Sequence, residues 1–401
     1  MKNRLIKPRD NKTVNFINYL LPLYPILAQY KGPIISIGVT IMLLYSVIVL
    51  FKRKKITLYR PFIAFSLFAV IMQFVNGLIL PRYITTYNNG NLLFMVVVIF
   101  IIVSTWGLVD ITALYRTYKI IGIVVIFVAS IQFFQLYILK QNVYPWAFID
   151  ITGEKFWYTY GNRPTAFFAE PQALCSFLLP LLFLSLKKKE NWLSGIIILA
   201  AFLSTSSLGI IISLMMVGVN VFVVNRNKLA KIIAGFVMLF SSVLLLFNIG
   251  SVQSSYIIQK IMNINLSDDV RLARGFQIYN QFTLENKLIG VGSGNLPNYL
   301  LYLSDIRFDW MNLVRQDSWG YANAVASSLL SFGVLGGLLF IYFILSLRKY
   351  CSKEIIPMYL CILLLIITTS ILLDSWFIFF FVFFFGVLIE EGKIKTYVLK
   401  I

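Results

Sequence analysis

Long apolar runs separated by short polar segments occupy almost the whole 401-residue chain. The runs are continuous rather than alternating, and a helix of about 20 residues crosses a hydrocarbon core of about 30 Å. Because backbone groups in lipid must be hydrogen-bonded within the segment, continuous runs indicate helices and not a β-barrel. The pattern predicts an all-α polytopic membrane protein, one integral membrane domain over residues 1–401 with about 12 transmembrane helices.

Polar residues divide the two longest runs. Each of these runs exceeds the length of one span, and the divisions fall at Ser204–Ser207 and near Asp374, polar groups whose only role could be to keep a turn hydrated. No small-residue cleavage site follows the first run, so it is expected to be retained. The predicted spans are about 14–30, 33–51, 62–80, 92–109, 120–138, 166–186, the two parts of the stretch after Asn191, 229–248, 323–346, and the two parts of 355–389.

Charge gives the predicted bundle an orientation. With the N-terminus inside, the cytoplasmic segments hold 24 of the 35 lysines and arginines but only 6 of the 16 acidic residues. This is the positive-inside bias, and it predicts that both termini are cytoplasmic. The net charge of +19 is therefore explained by topology, and nucleic acid is not expected as a partner.

Two long loops are predicted on the outer side, where long connections tend to carry function. The first, 139–165, is rich in aromatic residues that could stack on sugars or form an interfacial belt. The second, 249–322, is expected to contain short helices, among them one capped by Ser267 and running from Val270 to Thr283. A spacing of three would place Arg271 and Arg274 on one face of it, as a binding face or as a solvated basic face.

The stretch Arg163–Pro171, R-P-T-A-F-F-A-E-P, places two opposite charges where the first outer loop meets a span. Pro171 suits the first position of a helix, which leaves Glu170 at the cap in extended geometry. Glu170 is then either a simple cap or a base for a hydroxyl group. Arg163 is either an interfacial anchor or a donor to phosphate, which a planar guanidinium binds well.

A glycine-rich turn, Gly290-Val291-Gly292-Ser293-Gly294-Asn295, lies in the second loop. Its backbone N–H groups could line an anion, with Gly290, Gly292, Gly294 and Asn295 as substrate-binding residues, or it could be only a turn. Six arginines fall on the predicted outer side, five of them in the two long loops, and Arg315 is taken as a further substrate-binding candidate: Arg82, Arg163, Arg271, Arg274, Arg307 and Arg315.

Several kinds of chemistry find no support in the sequence. The chain has no histidine, which removes Ser/His/Asp triads, histidine metal sites and an imidazole base. Its three cysteines have no metal-site spacing. Asp268 and Asp269 are read as acids at a helix start in preference to metal ligands. Neither a metal nor a cofactor is expected.

Four features together resemble a known family. These are the Arg163–Pro171 stretch opening a span, the S-T-S-S break at Ser204–Ser207, the arginine pair Arg271 and Arg274 ahead of I-G-V-G-S-G-N, and the twelve-span layout with a large late outer loop. The chain resembles the O-antigen and capsular polysaccharide polymerases (Wzy type), whose wider group includes the O-antigen ligases. The resemblance covers nearly the whole chain in layout, although its motifs are short.

The resemblance implies a metal-independent glycosyltransferase of the bacterial plasma membrane that uses undecaprenyl-diphosphate-linked oligosaccharide at the outer face. Family members rely on outer-loop arginines, which correspond to Arg163, Arg271 and Arg274, with Glu170 as candidate proton acceptor. Membrane lipid, a chain-length regulator and a flippase are the implied partners. The ligases are expected to use a histidine, which this chain lacks.

Two other functions stay open at this point. A ligase would pass the glycan to a different acceptor. A lipid-linked oligosaccharide flippase or other transporter also has about twelve spans, but it would place charged residues at mid-membrane depth, where this sequence has few.

Overall fold

The computed structural model describes residues 15–30, 32, 35–147, 163–224, 271–392, 394 and 397–400. Within these ranges the regular secondary structure is helical apart from one two-stranded antiparallel pair. The helices are α1 (Ile17–Leu27), α2 (Ile37–Arg53), α3 (Arg60–Ile79), α4 (Asn88–Thr105), α5 (Ile111–Tyr137), α6 (Pro171–Lys187), α7 (Asn191–Leu203), α8 (Ser207–Val219), α9 (Arg274–Gln281), α10 (Leu284–Ile289), α11 (Leu296–Tyr302), α12 (Ala324–Leu347), α13 (Ile356–Thr368) and α14 (Ser375–Glu390). The strands are β1 (Lys55–Leu58) and β2 (Tyr397–Lys400).

In the part of the chain that the structure describes, five helices are long and apolar enough to cross a membrane. They are α3, α4, α5, α8 with its continuation to Val224, and α12 with its continuation to Tyr350. Five shorter apolar helices accompany them, α1, α6, α7, α13 and α14. The protein is thus a helical, membrane-embedded protein. The predicted span 229–248 lies outside the described residues.

Both predicted divisions of the long apolar runs are confirmed. Helix α7 ends before Ser204, and α8 begins after Ser206, whose hydroxyl accepts a hydrogen bond from the Gly209 N–H. Asp374 caps α14 by accepting from the Phe377 N–H at 2.7 Å. In each case a polar side chain satisfies an N–H group that the first turn of a helix leaves unpaired.

Helices α6 and α14 form the centre of the bundle. Their side chains are buried almost without interruption over 174–185 and 377–388, as expected of helices that are hydrophobic all round. Phe385 of α14 stacks on Trp106, with ring centres 3.5 Å apart, and also packs against Phe62 of α3. The remaining apolar helices surround this pair.

One end of the bundle, called here the basic end, joins segments that were predicted to be cytoplasmic. Strand β1, which follows α2, pairs with β2 near the C-terminus. Lys119 forms an ion pair with Glu190 at 2.5 Å, and Lys187 with Glu391 at 2.9 Å. The opposite end, where α6 and α14 begin, is called the loop end, and it carries the candidate site residues.

Helix α12 is broken at Gly333, and the glycine-rich turn docks into the break. Gly333 has φ +70°, a conformation that residues with a Cβ adopt only at a cost. The break frees the carbonyl groups of Leu330 and Ser331 from the helix. They accept hydrogen bonds from the N–H groups of Val291 and Gly292, at 2.9 Å each.

Candidate functional site

The Arg163–Pro171 segment is held in place by Gln132 of α5. The Gln132 Oε1 atom accepts hydrogen bonds from the N–H groups of Thr165 at 2.9 Å and Ala166 at 2.7 Å, and its Nε2 donates to the Ala166 carbonyl at 3.1 Å. Gln132 is fully buried, and a buried amide is stable only when it is satisfied in this way. The segment therefore follows a path that α5 determines.

Glu170 lies where the sequence predicted. Its backbone is extended, with φ −137° and ψ 149°, and Pro171 is the first residue of α6. The Glu170 side chain makes no capping hydrogen bond and is exposed, as is Arg163. The carboxylate is therefore not what starts the helix. Its role as a proton acceptor stays a prediction.

A cavity of about 310 Å³ opens beside this segment. The N–H of Ala169 donates to Oε1 of Gln29, one of the cavity residues, at 3.4 Å. This cavity could not be predicted from the sequence, because the ends of four helices, α1, α2, α4 and α14, build it. Its lining residues are Ala28, Gln29, Ser36, Val39, Phe94 and Ser375.

Asp374 stands next to the cavity residue Ser375, in the turn outside helices α13 and α14. Burial raises the pKa of its carboxyl group to about 7, although the hydrogen bond from the Phe377 N–H acts in the opposite direction. A carboxyl group that titrates near neutral pH suits proton transfer. Sequence reasoning treated this residue only as part of a turn, since its burial depends on the packing of neighbouring helices.

The arginine helix begins later than predicted. The observed helix α9 starts at Arg274, and Arg271 lies in the turn before it, so the two arginines do not share a helical face. The expected cap at Ser267, with Asp268 and Asp269, lies outside the described residues. The sequence pattern missed the docking of this region, which the packing of α9 against α12 explains.

Helix α9 rests on the first turns of α12. A Cβ atom on Gly275 would lie 2.6 Å from the Cβ atoms of Ala322 and Ala326, so only glycine permits this close approach. Asn323, the N-cap residue of α12, donates through Nδ2 to the carbonyl of Arg271 at 2.9 Å. These contacts fix both arginines relative to α12.

Arg274 is buried, and no described residue gives it an ion pair or a hydrogen-bond acceptor. Its side chain belongs to a residue that is only 8% exposed, and its guanidinium carbon lies 4.0 Å from the centre of the Trp310 ring. Burial lowers the pKa of Arg274, while Tyr321 acts to raise it. Across the described ranges, no carboxylate forms an ion pair with Arg274, and no acceptor forms a hydrogen bond with its guanidinium.

Arg307 and Arg315 differ from Arg274. The Nη1 atom of Arg307 donates to three backbone carbonyls, those of Leu300, Ser304 and Ile306, which identifies it as a residue that holds the loop together. Arg315 precedes a 3₁₀ turn and is exposed. Its substrate-binding role stays a prediction.

Amide side chains fix the glycine-rich turn. Gln73 accepts from the Ser293 N–H at 2.6 Å, and Asn91 donates to the Ser293 carbonyl at 2.9 Å. Asn295 donates to the Val291 carbonyl at 2.9 Å. The turn is thereby attached to α3 and α4 as well as to α12.

These hydrogen bonds reduce the number of backbone N–H groups that the turn could donate to a ligand. The N–H groups of Val291, Gly292 and Ser293 are directed to protein acceptors. An anion at this turn would have to use other donors. The binding roles of Gly290, Gly292, Gly294 and Asn295 stay predictions.

The two groups of candidate residues share the loop end. The N–H of Ala324, at the start of α12, donates to the Thr369 carbonyl at 2.8 Å. Thr369 begins the segment 369–374, which ends at the cap Asp374 beside the cavity. The segment therefore connects the arginine-bearing loop with the cavity beside Arg163–Pro171.

The geometry at the loop end combines an exposed arginine and carboxylate, a cavity lined by both polar and apolar residues, and a buried arginine. Such a combination can bind a ligand that carries both anionic and hydroxyl groups. In comparisons with known proteins, neither a protein-family model nor a curated protein matches this chain.

Proposed function

We propose that this chain is a polysaccharide polymerase of the bacterial plasma membrane. It transfers a lipid-diphosphate-linked glycan onto a lipid-linked oligosaccharide repeat unit at the outer face, in O-antigen, capsule or exopolysaccharide biosynthesis. The observation that carries the proposal is Arg274, a buried guanidinium without an acceptor or carboxylate partner among the described residues, at the same end as Arg163 and Glu170. A buried charge that has no acidic partner among the described residues is costly, and an anionic ligand would offset this cost.

The proposed topology has twelve spans with both termini cytoplasmic and the loop end outside. Contacts at the basic end support it, because they join loops that the charge pattern assigns to one side. Helix α8 runs from the loop end, where Ser204 bonds Cys175 near the start of α6, towards the basic end. Arg271 lies back at the loop end, so the described residues on either side of 225–270 lie at opposite ends, as the predicted ninth span requires.

The reaction assigns a role to each charge. The acceptor hydroxyl oxygen forms a bond to the anomeric carbon of the donor sugar, and the bond from that carbon to the diphosphate oxygen breaks. The lipid diphosphate leaves with the electron pair, and Arg163, Arg271 and Arg274 stabilise its charge. The hydroxyl proton passes to a carboxylate, for which Glu170 is the candidate, with Asp374 as a second one at the cavity.

The proposed substrate is an undecaprenyl-diphosphate-linked oligosaccharide, held in membrane lipid. Electrostatic stabilisation by arginine needs no metal and no cofactor. A chain-length regulator and a flippase are proposed to act with the protein. Nucleic acid is not proposed as a partner.

A ligase and a transporter are the competing functions. A ligase would use the same leaving group with another acceptor. A transporter is less favoured, because the charged residues of the described crossing helices, such as Arg60 and Lys119, lie towards helix ends and not near the midplane.

The deciding experiment compares the surface glycan and lipid extracts of cells with and without this gene. Polymerase activity predicts that single repeat units still reach their usual acceptor while the long ladder disappears. Long lipid-linked polymer that fails to reach its acceptor would identify a ligase. Unpolymerised units accumulating on the inner face would identify a transporter and overturn the proposal.

A further inference from the structure

Trp310 has a buried donor that no described residue accepts. The Nε1 atom of Trp310 is inaccessible and has no hydrogen-bond partner in the part of the chain that the structure describes. The indole N–H can only donate, and a buried donor left unpaired is unfavourable. Trp319, a few residues later, donates its Nε1–H to the Val314 carbonyl at 3.3 Å. The unpaired state is thus a property of Trp310 and not of both loop tryptophans.

The orientation of the Trp310 ring is fixed by its neighbours. Phe308 stacks nearly parallel to it, with an angle of 14° and ring centres 5.5 Å apart. The guanidinium of Arg274 lies over the ring at 4.0 Å. Tryptophan is the aromatic residue that binds a cation most strongly, so this contact holds Arg274 in place without neutralising its charge.

The two side chains that carry these donors are therefore in contact. The guanidinium of Arg274 has no acceptor in the described ranges, and neither has the Trp310 indole N–H. A diphosphate presents oxygens on two phosphorus atoms. Donors on stacked groups about 4 Å apart, like this guanidinium and this indole ring, can bind different oxygens of one such ligand.

We propose that Arg274 and Trp310 form one binding site for a diphosphate, in which the indole N–H donates to the same anion as the guanidinium. Trp310 is then a substrate-binding residue as well as the residue that positions Arg274. The identity of the ligand rests on the proposed polymerase function, whereas the pairing of the two donors rests on the geometry alone.

Substitutions of Trp310 separate its two roles. Trp310→Phe keeps an aromatic face for Arg274 and removes the N–H, while Trp310→Leu removes both. Losing one hydrogen bond to a charged group corresponds to about a tenfold weaker interaction. We expect Trp310→Phe to raise KM for the lipid-linked repeat unit about tenfold, and Trp310→Leu to lower kcat as well. Trp319→Phe is the matched control and should leave both constants unchanged.

A direct binding measurement does not depend on turnover. The full chain is labelled with 5-fluorotryptophan in lipid nanodiscs, and inorganic diphosphate is added while the ¹⁹F NMR spectrum is recorded. The Trp310 resonance, identified by its loss in Trp310→Phe, is expected to shift saturably. Arg274→Gln should abolish the shift, and the Trp319 resonance should not move. An unmoved Trp310 resonance in the wild-type protein would overturn the inference.

The two proposals can fail separately. If diphosphate shifts the Trp310 resonance but cells lacking the gene still make long glycan, the binding site stands and the polymerase function is wrong. If the ladder requires the gene but Trp310→Phe keeps wild-type KM and kcat, and the resonance does not shift, the polymerase function stands and the role of Trp310 is wrong. The NMR result decides the inference even if Trp310→Leu does not fold.

Discussion

Gln73 of α3 holds the peptide groups of Ser293 from two sides. Its Oε1 atom accepts from the Ser293 N–H at 2.6 Å, and its Nε2 donates to the Ser293 carbonyl at 3.2 Å, across 220 positions of sequence. The same Nε2 donates to Asn88 at 2.7 Å. Because Gln73 is fully buried, these bonds are not exchanged with water. The glycine-rich turn is therefore part of the bundle and not a separate loop.

Replacing Gln73 with leucine should destabilise the protein strongly. The change leaves the Ser293 N–H without its acceptor, and one unsatisfied buried group costs about 1–3 kcal/mol. We expect a clear fall in the Tm of the purified protein. Gln281→Leu is the control, since Gln281 is exposed at the end of α9 and should change the Tm little. Equal Tm values for Gln73→Leu and the wild type would contradict a stabilising role for the Gln73–Ser293 hydrogen bonds.

Local features of the fold were predictable from the sequence, and contacts between distant residues were not. Pro171 was located correctly at a helix start and Asp374 at the division of a long apolar run, because proline and polar side chains act within one turn. The Gln73–Ser293 bonds and the Arg274–Trp310 contact depend on which helices are neighbours. No local pattern encodes that. The start of α9 was predicted too early for the same reason, since its packing on α12 decides where it runs.

The candidate site was predictable to a similar degree. Arg163 and Glu170 could be identified as candidates from the sequence, because placing charged side chains at a membrane boundary costs free energy. The cavity arises only when four helix ends meet, and the partial burial of Asp374 also depends on packing between helices. The proposed ligand-binding role of Trp310 could be inferred only from the structure, where its indole N–H has no partner among the described residues.

Alanine at Arg163, Arg271 or Arg274 should abolish long glycan while leaving the protein level unchanged. Each loss removes a donor to the leaving diphosphate, which costs about 3 kcal/mol, or about two orders of magnitude in rate. The measurement is the glycan ladder of complemented cells together with an immunoblot. Arg82→Ala is the control, an exposed arginine of the short loop between α3 and α4. An unchanged ladder in any of the three variants would remove that arginine from the site.

Glu170→Gln tests whether Glu170 accepts a proton, separately from any role at the start of α6. The Glu170 side chain makes no capping hydrogen bond, so the substitution should not affect the stability of α6. If Glu170 accepts the hydroxyl proton, turnover of purified protein falls by two to four orders of magnitude, roughly the contribution of a general base. Turnover equal to the wild type, at an unchanged Tm, would leave Glu170 as a helix-boundary residue only.

Gly333→Ala should destabilise the protein although it adds only one methyl group. The backbone at Gly333 has φ +70°, and an added Cβ would lie 2.0 Å from the Leu288 carbonyl oxygen. Strain of this kind costs about 1–3 kcal/mol before the steric contact is included. Gly195→Ala in α7 is the matched control. Open space surrounds Gly195, and alanine there should stabilise the helix by up to about 1 kcal/mol. In thermal unfolding, the Tm should fall for Gly333→Ala and rise for Gly195→Ala. An unchanged Tm for Gly333→Ala would contradict the broken helix at this position.

Asp374 should make stability depend on pH near neutrality. Its pKa is about 7 in the folded protein and near 4 for an unfolded aspartate. Between these values the folded protein keeps a proton that the unfolded chain releases. The free energy of unfolding therefore falls as the pH rises from about 4 to about 7. The stabilising contribution of the protonated carboxyl is complete below the lower value and lost above the higher one.

Asp374→Asn isolates this contribution. Asparagine caps a helix about as well as aspartate but does not ionise, so the cap on α14 is kept. The variant should lose the Asp374 part of the pH slope and should exceed the wild-type Tm above about pH 7, where the wild type carries a partly buried charge. Asp305→Asn, at an exposed loop position, controls for the general loss of a negative charge. Parallel Tm profiles for Asp374→Asn and the wild type would mean that the pKa of the carboxyl group is the same in the folded protein and the unfolded chain, which would contradict the raised pKa of Asp374.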